Sequence, residues 1–424
     1  MLISQNGHLS YCTNIHAGES WEAVFKSIVS YCVPIKKKVS PYESFGIGLR
    51  LSYQAATELL LDGNLLMFKV WLLQNEMYVF TINGFPYGNF HNEGVKDKVH
   101  LPDWTSIERL NYTQLLFTIL CELLPSGIEG GISTSPLSYK HWHTTADEVI
   151  QVKQAATKQL VEVVTQLVKT YESRGKKMHL NIEPEPDGVI ENSDEYIAFF
   201  EEYLLQEGAS LLASNLACSY LQAQEYMRTH IQLCYDVCHF AVGFEKSEDV
   251  LQKMDDHGLK IGKLQISAAL KCMVSDTSSI AELQQCLRVF DEPTYLHQAV
   301  IKTIGGELLK FNDLEKGIDA MNRVDFMELR THFHVPIFIE DYQLLQSTQN
   351  DIISILKSWC KNEFTQHLEI ETYTWQVLPS HLQTDLTESI ERELEWVINT
   401  IANEINTLKS IKTPKQCNKQ PLLM

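Results

Sequence analysis

The sequence predicts an α/β protein of the (β/α)8 barrel (TIM barrel) class, and three observations carry that expectation. Eight short β-rich runs alternate with longer helical periods along 424 residues, the order of a parallel sheet with right-handed crossovers. No glycine-rich phosphate turn follows the first strand, where Cys12 to His16 runs straight into a helix, so an open doubly wound sheet is the weaker alternative. Acids and imidazoles also fall at the ends of strands, where a barrel gathers them into one pocket although they lie far apart in sequence.

Taken in order, the predicted strands are Leu9 to His16, Phe45 to Ser52, Met77 to Asn83 and Gly131 to Ser138, then Met178 to Glu183, Ile231 to Asp236, Leu259 to Ser267 and His367 to Thr372. The clearest helix sets Leu160, Val163, Val164, Leu167, Val168 and Tyr171 on one face, with Lys, Glu and Gln opposite. Asn192 with Glu195 three residues later marks another helix start. The run from Leu115 to Leu124, interrupted by Thr118, Cys121 and Glu122, reads as a buried helix. Residues 84 to 105 form a long loop on the face that carries chemistry in a barrel. Residues 272 to 340 are too long for one crossover helix and hold two β-like runs, Tyr295 to Thr303 and Leu329 to Phe338, with Gly305 and Gly306 at a hairpin tip. They read as an insertion between strands seven and eight of a single domain, residues 1 to 409. A long helix with Ile390, Leu394, Val397, Ile401, Ile405 and Leu408 on one face ends the domain, and residues 410 to 424 read as a mobile tail.

Composition narrows the function classes. A hydrophobic fraction of 44% with 21% charged residues is globular. Lys and Arg number 35 against 54 Asp and Glu, a formal charge of −19, which opposes binding to a phosphate backbone; the expectation is no nucleic-acid partner. Lys36, Lys37 and Lys38 cluster, but three lysines in a loop are a solvated surface. The chain opens without a basic region followed by an apolar stretch, and no apolar run approaches the ~20 residues of a membrane helix. The ten cysteines are scattered through apolar runs, as packed reduced thiols. Cys234 and Cys238 lack a second pair at zinc-site spacing. A cytoplasmic protein without membrane insertion is therefore expected.

The chemistry lies at the strand ends. The fifth strand closes on Glu183 with Glu185 just beyond, the sixth on Asp236 with His239, and the eighth carries Glu369 and Glu371 on one face at period two. The seventh presents Gln265 and Ser267 together, and the inserted region supplies His297, His332 and His334. Burying a carboxylate at the end of an apolar strand is costly unless it is paired, hydrogen-bonded or metal-bound. A lone strand-end Glu usually finds a salt-bridge partner, and a lone His is usually a satisfied core residue; three strands carrying acids at one end weigh against that reading for the set. Carboxylates mixed with imidazoles suit Mn²⁺, Zn²⁺ or Fe²⁺. His16, Arg50 and Asn83, at the ends of the first three strands, are expected with Glu185, Gln265 and Glu369 around a substrate, although Arg50 serves equally well as a structural brace.

The order Glu183, Asp236-x-x-His239 and Glu371 resembles the xylose-isomerase-like barrel superfamily, which includes sugar epimerases and endonuclease IV. Longer segments resemble, within it, the EboE family of metabolite-traffic gene clusters. These are Leu-Ser-Tyr-Cys-Thr-Asn-Ile-His-Ala-Gly-Glu-Ser-Trp at 9 to 21, Glu-Pro-Glu-Pro at 183 to 186, Tyr-Asp-Val-Cys-His at 235 to 239 and Lys-Leu-Gln-Ile-Ser at 263 to 267. Tyr-Leu-His-Gln at 295 to 298, His-Phe-His-Val-Pro at 332 to 336 and Glu-Thr-Tyr-Thr-Trp at 371 to 375 complete the set. The resemblance implies metal-ligand roles for Glu183, Asp236 and Glu371; beside such a cation Glu183 and Glu371 are also candidate catalytic bases. It implies a His on the seventh strand, where this sequence has Gln265. Either the metal is lost or a His from the insertion replaces that ligand; His332-x-His334 resembles the counterpart segment of endonuclease IV, and His239 and His297 remain candidates.

For function, the resemblance implies handling of secondary-metabolite precursors beside prenyltransferase-like and membrane partners. The leading expectation is a metal-dependent isomerase, epimerase or lyase-like enzyme acting on a small polar or sugar-derived metabolite. A binding or carrier protein using the same pocket is the alternative, and a nuclease is disfavoured by charge.

Overall fold

A computed structural model describes residues 1–88, 96–274 and 278–412. Eight parallel strands form one sheet: β1 (His8–Tyr11), β2 (Phe45–Arg50), β3 (Met77–Asn83), β4 (Gly130–Thr134), β5 (Met178–Ile182), β6 (Ile231–Asp236), β7 (Ile261–Ile266) and, as the last strand of the chain, β14 (His367–Ile370). The spatial order is β1-β14-β7-β6-β5-β4-β3-β2, and a parallel bridge between Cys12 and Gly48 joins the two outer strands. Nearly every strand residue is buried, yet the strands still alternate, with polar His179, Asn181, Gln232, Lys263, Gln265, His367 and Glu369 set between apolar Leu180, Ile182, Leu233, Leu264 and Leu368. The first strand is shorter than predicted: after Tyr11 the chain enters a 3-10 turn, Thr13–Ile15.

Helices wrap the sheet and their ends are capped as the sequence signals. The helix Ala146–Arg174 begins with a capping box between Thr145 and Glu148, and Asn192 caps Ser193–Phe199 by accepting the Glu195 N–H at 2.9 Å. Leu115 to Leu123 lies in the helix Ile107–Leu123, whose inner face is buried. The C-terminal helix Leu386–Lys412 buries Ile390, Leu394, Val397 and Ile401 and packs against the helix Gln349–Asn362. It therefore includes residues 410 to 412 of the predicted tail; residues 413 to 424 lie outside the described residues. So do residues 89 to 95 of the long loop.

The insertion is a second, antiparallel sheet. Its strands are β8 (Ala268–Met273), β9 (Ala299–Thr303), β10 (Leu308–Phe311), β11 (Phe326–Val335), β12 (Asp341–Tyr342) and β13 (Leu345–Ser347), in the order β10-β9-β11-β8-β13-β12. It starts one residue after β7 and so is wider than 272 to 340. Gly306, at φ +86°, turns the β9–β10 hairpin. β11 leaves its register with β8 between Thr331 and Val335. That bulge re-aims His332 and His334 toward the barrel mouth.

Candidate metal centre

Parallel ladders set the three acids. Glu183 stands one residue past β5 with its N–H held by the Thr134 carbonyl at 3.0 Å, and Glu371 one residue past β14 with its N–H held by Ile266 at 3.1 Å. Asp236 closes β6 and caps the helix Val237–Val242, accepting the His239 N–H at 3.1 Å and the Ser267 hydroxyl at 2.7 Å. Ligand atoms of Glu183, Asp236 and Glu371 lie within 4.8 Å of one another, all buried.

Between them stands Gln265. Its Nε2 donates to Glu183 Oε1 and Asp236 Oδ2, each at 3.0 Å, and to Glu371 Oε2. The amide orientation is fixed from behind, because the Cys234 thiol donates to Gln265 Oε1 at 3.0 Å. Two amide hydrogens thus face three carboxylates. Asn14 and Asn83 both donate to Glu371 Oε1, at 2.7 and 2.8 Å. A neutral donor set already occupies the focus of the acids, so this group is a poor fit for a cation as it stands.

The imidazoles fit better. His239 Nδ1 bonds the Pro184 carbonyl at 2.9 Å and His334 Nδ1 the Glu371 carbonyl at 2.7 Å. A carbonyl only accepts, so Nδ1 carries the proton in both rings. His332 Nδ1 bonds Gln298 Oε1 at 2.9 Å, and Gln298 donates its Nε2 to Pro186 O at 2.8 Å, which fixes Oε1 as the acceptor. All three rings therefore keep a bare lone pair on Nε2, the tautomer a metal requires. His239 Nε2 and His332 Nε2 are only 3.0 Å apart, two lone pairs pointed at each other with no hydrogen between them. His334 Nε2 is buried without a hydrogen-bond partner among the described residues. These rings combine with acids or a thiol into three further groups within the same 4.8 Å limit: Asp236–His239–His334, Glu185–His239–His332 and Cys238–His332–His334.

The electrostatics follow from burying acids and imidazoles side by side. Burial, then the charges of Glu371 and Asp236, raises Glu183 well above the usual carboxylate range. Burial and Asp236 push Glu371 up to about 8, and burial with Asp236 and Asp187 raises Glu185 as well. For Asp236, burial pulls upward, but the His239 and His334 imidazoles, the Ser267 hydroxyl and the His239 N–H hold it below its ordinary value. Burial lowers His239 and takes His334 down to about 4, and burial with the neighbouring imidazoles holds His332 well below its ordinary value. At neutral pH the rings are neutral, and burial among other acids favours the protonated form of the glutamates.

Glu183, Glu185, His239, His332, His334 and Glu371 all line one cleft, with about 600 Å³ of atom-free space counted out to its mouth, and Asn83 joins them. Asp236 and Gln265 lie just beneath. Four expected residues are elsewhere. His16 bonds the Tyr11 hydroxyl at 2.9 Å and stacks on Tyr31; Arg50 pairs with Glu19 at 2.9 Å and donates to the carbonyls of Gly18 and Gly88. Both line a separate small cleft and brace the loops there. His297 commits both ring nitrogens, to the His332 carbonyl at 2.9 Å and to Glu292 at 2.8 Å, so it anchors β11 and offers no lone pair. Glu369 lies one layer deeper, ion-paired with Lys263 where both side chains are fully buried. Sequence reasoning missed Asn14, His100, Tyr295 and Tyr373, which line the cleft. His100 sits in the 84 to 105 loop already assigned to the reactive face, and that was its signal.

Fold and site together define the class: a (β/α)8 barrel whose reactive face joins buried acids to tautomer-locked imidazoles, two of them from an inserted sheet. No family model matches the sequence, and no curated protein matches it. Solved structures similar in shape include a xylose isomerase-like TIM barrel protein from Mycobacterium smegmatis in complex with magnesium, at 9% identity over 94% of this chain and 97% of that one, TM-score 0.47. A xylose isomerase domain protein from Alicyclobacillus acidocaldarius subsp. acidocaldarius matches at 8% identity over 95% and 99%, TM-score 0.44. The probable 3-DHS dehydratase AsbF from Bacillus anthracis matches at 11% over 92% and 97%, TM-score 0.42. The barrel assignment rests on this chain's own strand order.

Proposed function

We propose that this protein is a divalent-metal-dependent isomerase- or epimerase-like enzyme of the EboE type, acting on a small polar or sugar-derived metabolite. The observation that carries the proposal is the set of three imidazoles, each holding its Nδ1 proton on an oxygen acceptor and leaving Nε2 bare. His239, His332 and His334, with Asp236 or Glu185, would hold Mn, Zn or Fe. Once bound, such an ion supplies a Lewis acid that stabilises negative charge developing on substrate oxygens. The chain's own residues supply the proton chemistry. Glu371, up at about 8, exchanges a proton near working pH. Glu183 has Oε1 held by Gln265, while Oε2 lacks a hydrogen-bond partner among the described residues and is the atom left to exchange a proton with substrate. The EboE reading also carries prenyltransferase-like or membrane partners, and the scattered cysteines, unpaired among the described residues, support a cytoplasmic location.

Elemental analysis of purified protein and of His239→Ala and His334→Ala tests this. Near-stoichiometric Mn, Zn or Fe, lost in both variants, is the expected result, and deuterium uptake from D₂O beside the carbonyl of a turned-over sugar would establish the reaction class. Metal-free protein that retains a co-purified small molecule would replace the enzyme with a metabolite carrier. That second reading is favoured by Gln265, whose neutral amide already satisfies the acids.

A further inference from the structure

The helix Asn64–Gln74 reads Asn-Leu-Leu-Met-Phe-Lys-Val-Trp-Leu-Leu-Gln, apolar on every face with one charge in its length. Helices of that composition are covered on both sides. Here Phe68 and Leu72 are buried against the barrel, but Leu66, Met67, Val70 and Leu73 are 68, 60, 44 and 74% exposed. Leu60 and Leu61, in the preceding turn, add 38 and 53%.

We infer that this face is covered by a second copy of the chain, in a two-fold dimer. The six side chains present roughly 600 Å² of apolar surface, the upper end of the largest patch on an ordinary monomer. Two copies would bury about 1,200 Å² from these side chains alone, which reaches the range of stable specific interfaces before any rim is added. A two-fold contact sets a mostly apolar stripe, flanked by the exposed Asp62 and Lys69, against itself, the composition that homodimer cores have. The one cation of the helix, Lys69, lies 3.8 Å from Glu122 of its own chain. A lipid surface is the poorer occupant, because interfacial helices carry a basic face and this chain has a formal charge of −19.

Sedimentation velocity and light scattering over a dilution series read the outcome directly. Wild type is expected at twice the 48.6 kDa chain mass, falling to a single chain in Leu66→Glu/Leu73→Glu and in the milder Met67→Lys. Leu221→Glu, at a position 73% exposed on the helix Tyr220–His230, is expected to leave the dimer intact. A wild type of single-chain mass at every concentration overturns the inference. So does a dimer that survives both helix changes, or a monomer that co-sediments with phosphatidylserine-containing vesicles.

Discussion

Replacing Lys263 by Met probes a charge buried inside the barrel. Lys263 and Glu369 form an ion pair with both side chains fully buried, and the lysine also donates to Ser133 Oγ at 3.2 Å. Burial alone would lower the Lys263 pKa, but Glu369 and its neighbours outweigh it and hold the ammonium above its usual range. Removing one partner of a buried pair strands the other charge, a loss of about 3–5 kcal/mol, whereas replacing both by apolar groups is often close to neutral. Lys263→Met is therefore expected to lower the urea midpoint steeply, and Lys263→Met/Glu369→Met to recover most of the loss. With m-values unchanged, the four midpoints form a double-mutant cycle whose coupling is set against the sum of the single losses. A single change costing under ~1 kcal/mol, or a double change costing the sum of both singles, would refute the paired-charge argument.

The remaining expectations follow the same logic. Glu393 is buried, accepts the Thr372 hydroxyl and the Ile337 N–H, and is pushed by burial from 4.5 up to about 8. The fold therefore keeps its proton where the unfolded chain loses it. Its contribution is fully present below pH 4.5 and declines as pH rises through about 8, by up to about 1.4 kcal/mol per unit. Glu393→Gln should flatten that decline, read as the wild-type-minus-variant midpoint at several pH values; parallel curves would be the contrary result. Gly48→Ala should destabilise by a few kcal/mol in thermal melts, since a Cβ there would meet Glu369 Oε1 at 1.8 Å and the Tyr11 carbonyl at 2.6 Å; an unchanged melting temperature counts against that packing. Gln298→Leu removes the acceptor that fixes the His332 tautomer, and metal affinity measured by competition with a chelator should fall about 10–100-fold. Unaltered affinity would place the ion elsewhere.

Much of this architecture was legible in the sequence because short β-rich runs recur between helical periods and several of them end on acids. Glu183, Asp236 and Glu371 stood out as acids terminating such runs, and the His-x-His spacing placed His332 and His334 on one face. Depth was not legible. Period two directs Glu369 and Glu371 to the same side, yet one meets Lys263 inside the barrel and the other meets the cleft, since alternation gives direction and not height along the barrel axis. The braces were hidden for a related reason: Arg50 and His297 are polar strand-end residues like the site residues, and only their partners, Glu19 and Glu292, distinguish them. Asn14 had no contrast with its surroundings, being one amide in a short turn.

The bulge in β11 has a consequence for how this centre can change. The acids belong to the barrel, whose closure fixes them, while His332 and His334 arrive on a separate sheet joined to it through Ser267. Donor chemistry and scaffold are thus inherited from different pieces of chain. A one-residue slip in the inserted sheet would exchange His332 and His334 for Phe333 at the mouth and leave His239 with the acids, without moving a single barrel strand. The seam between the sheets is where related chains could diverge in what they hold while remaining the same barrel beneath.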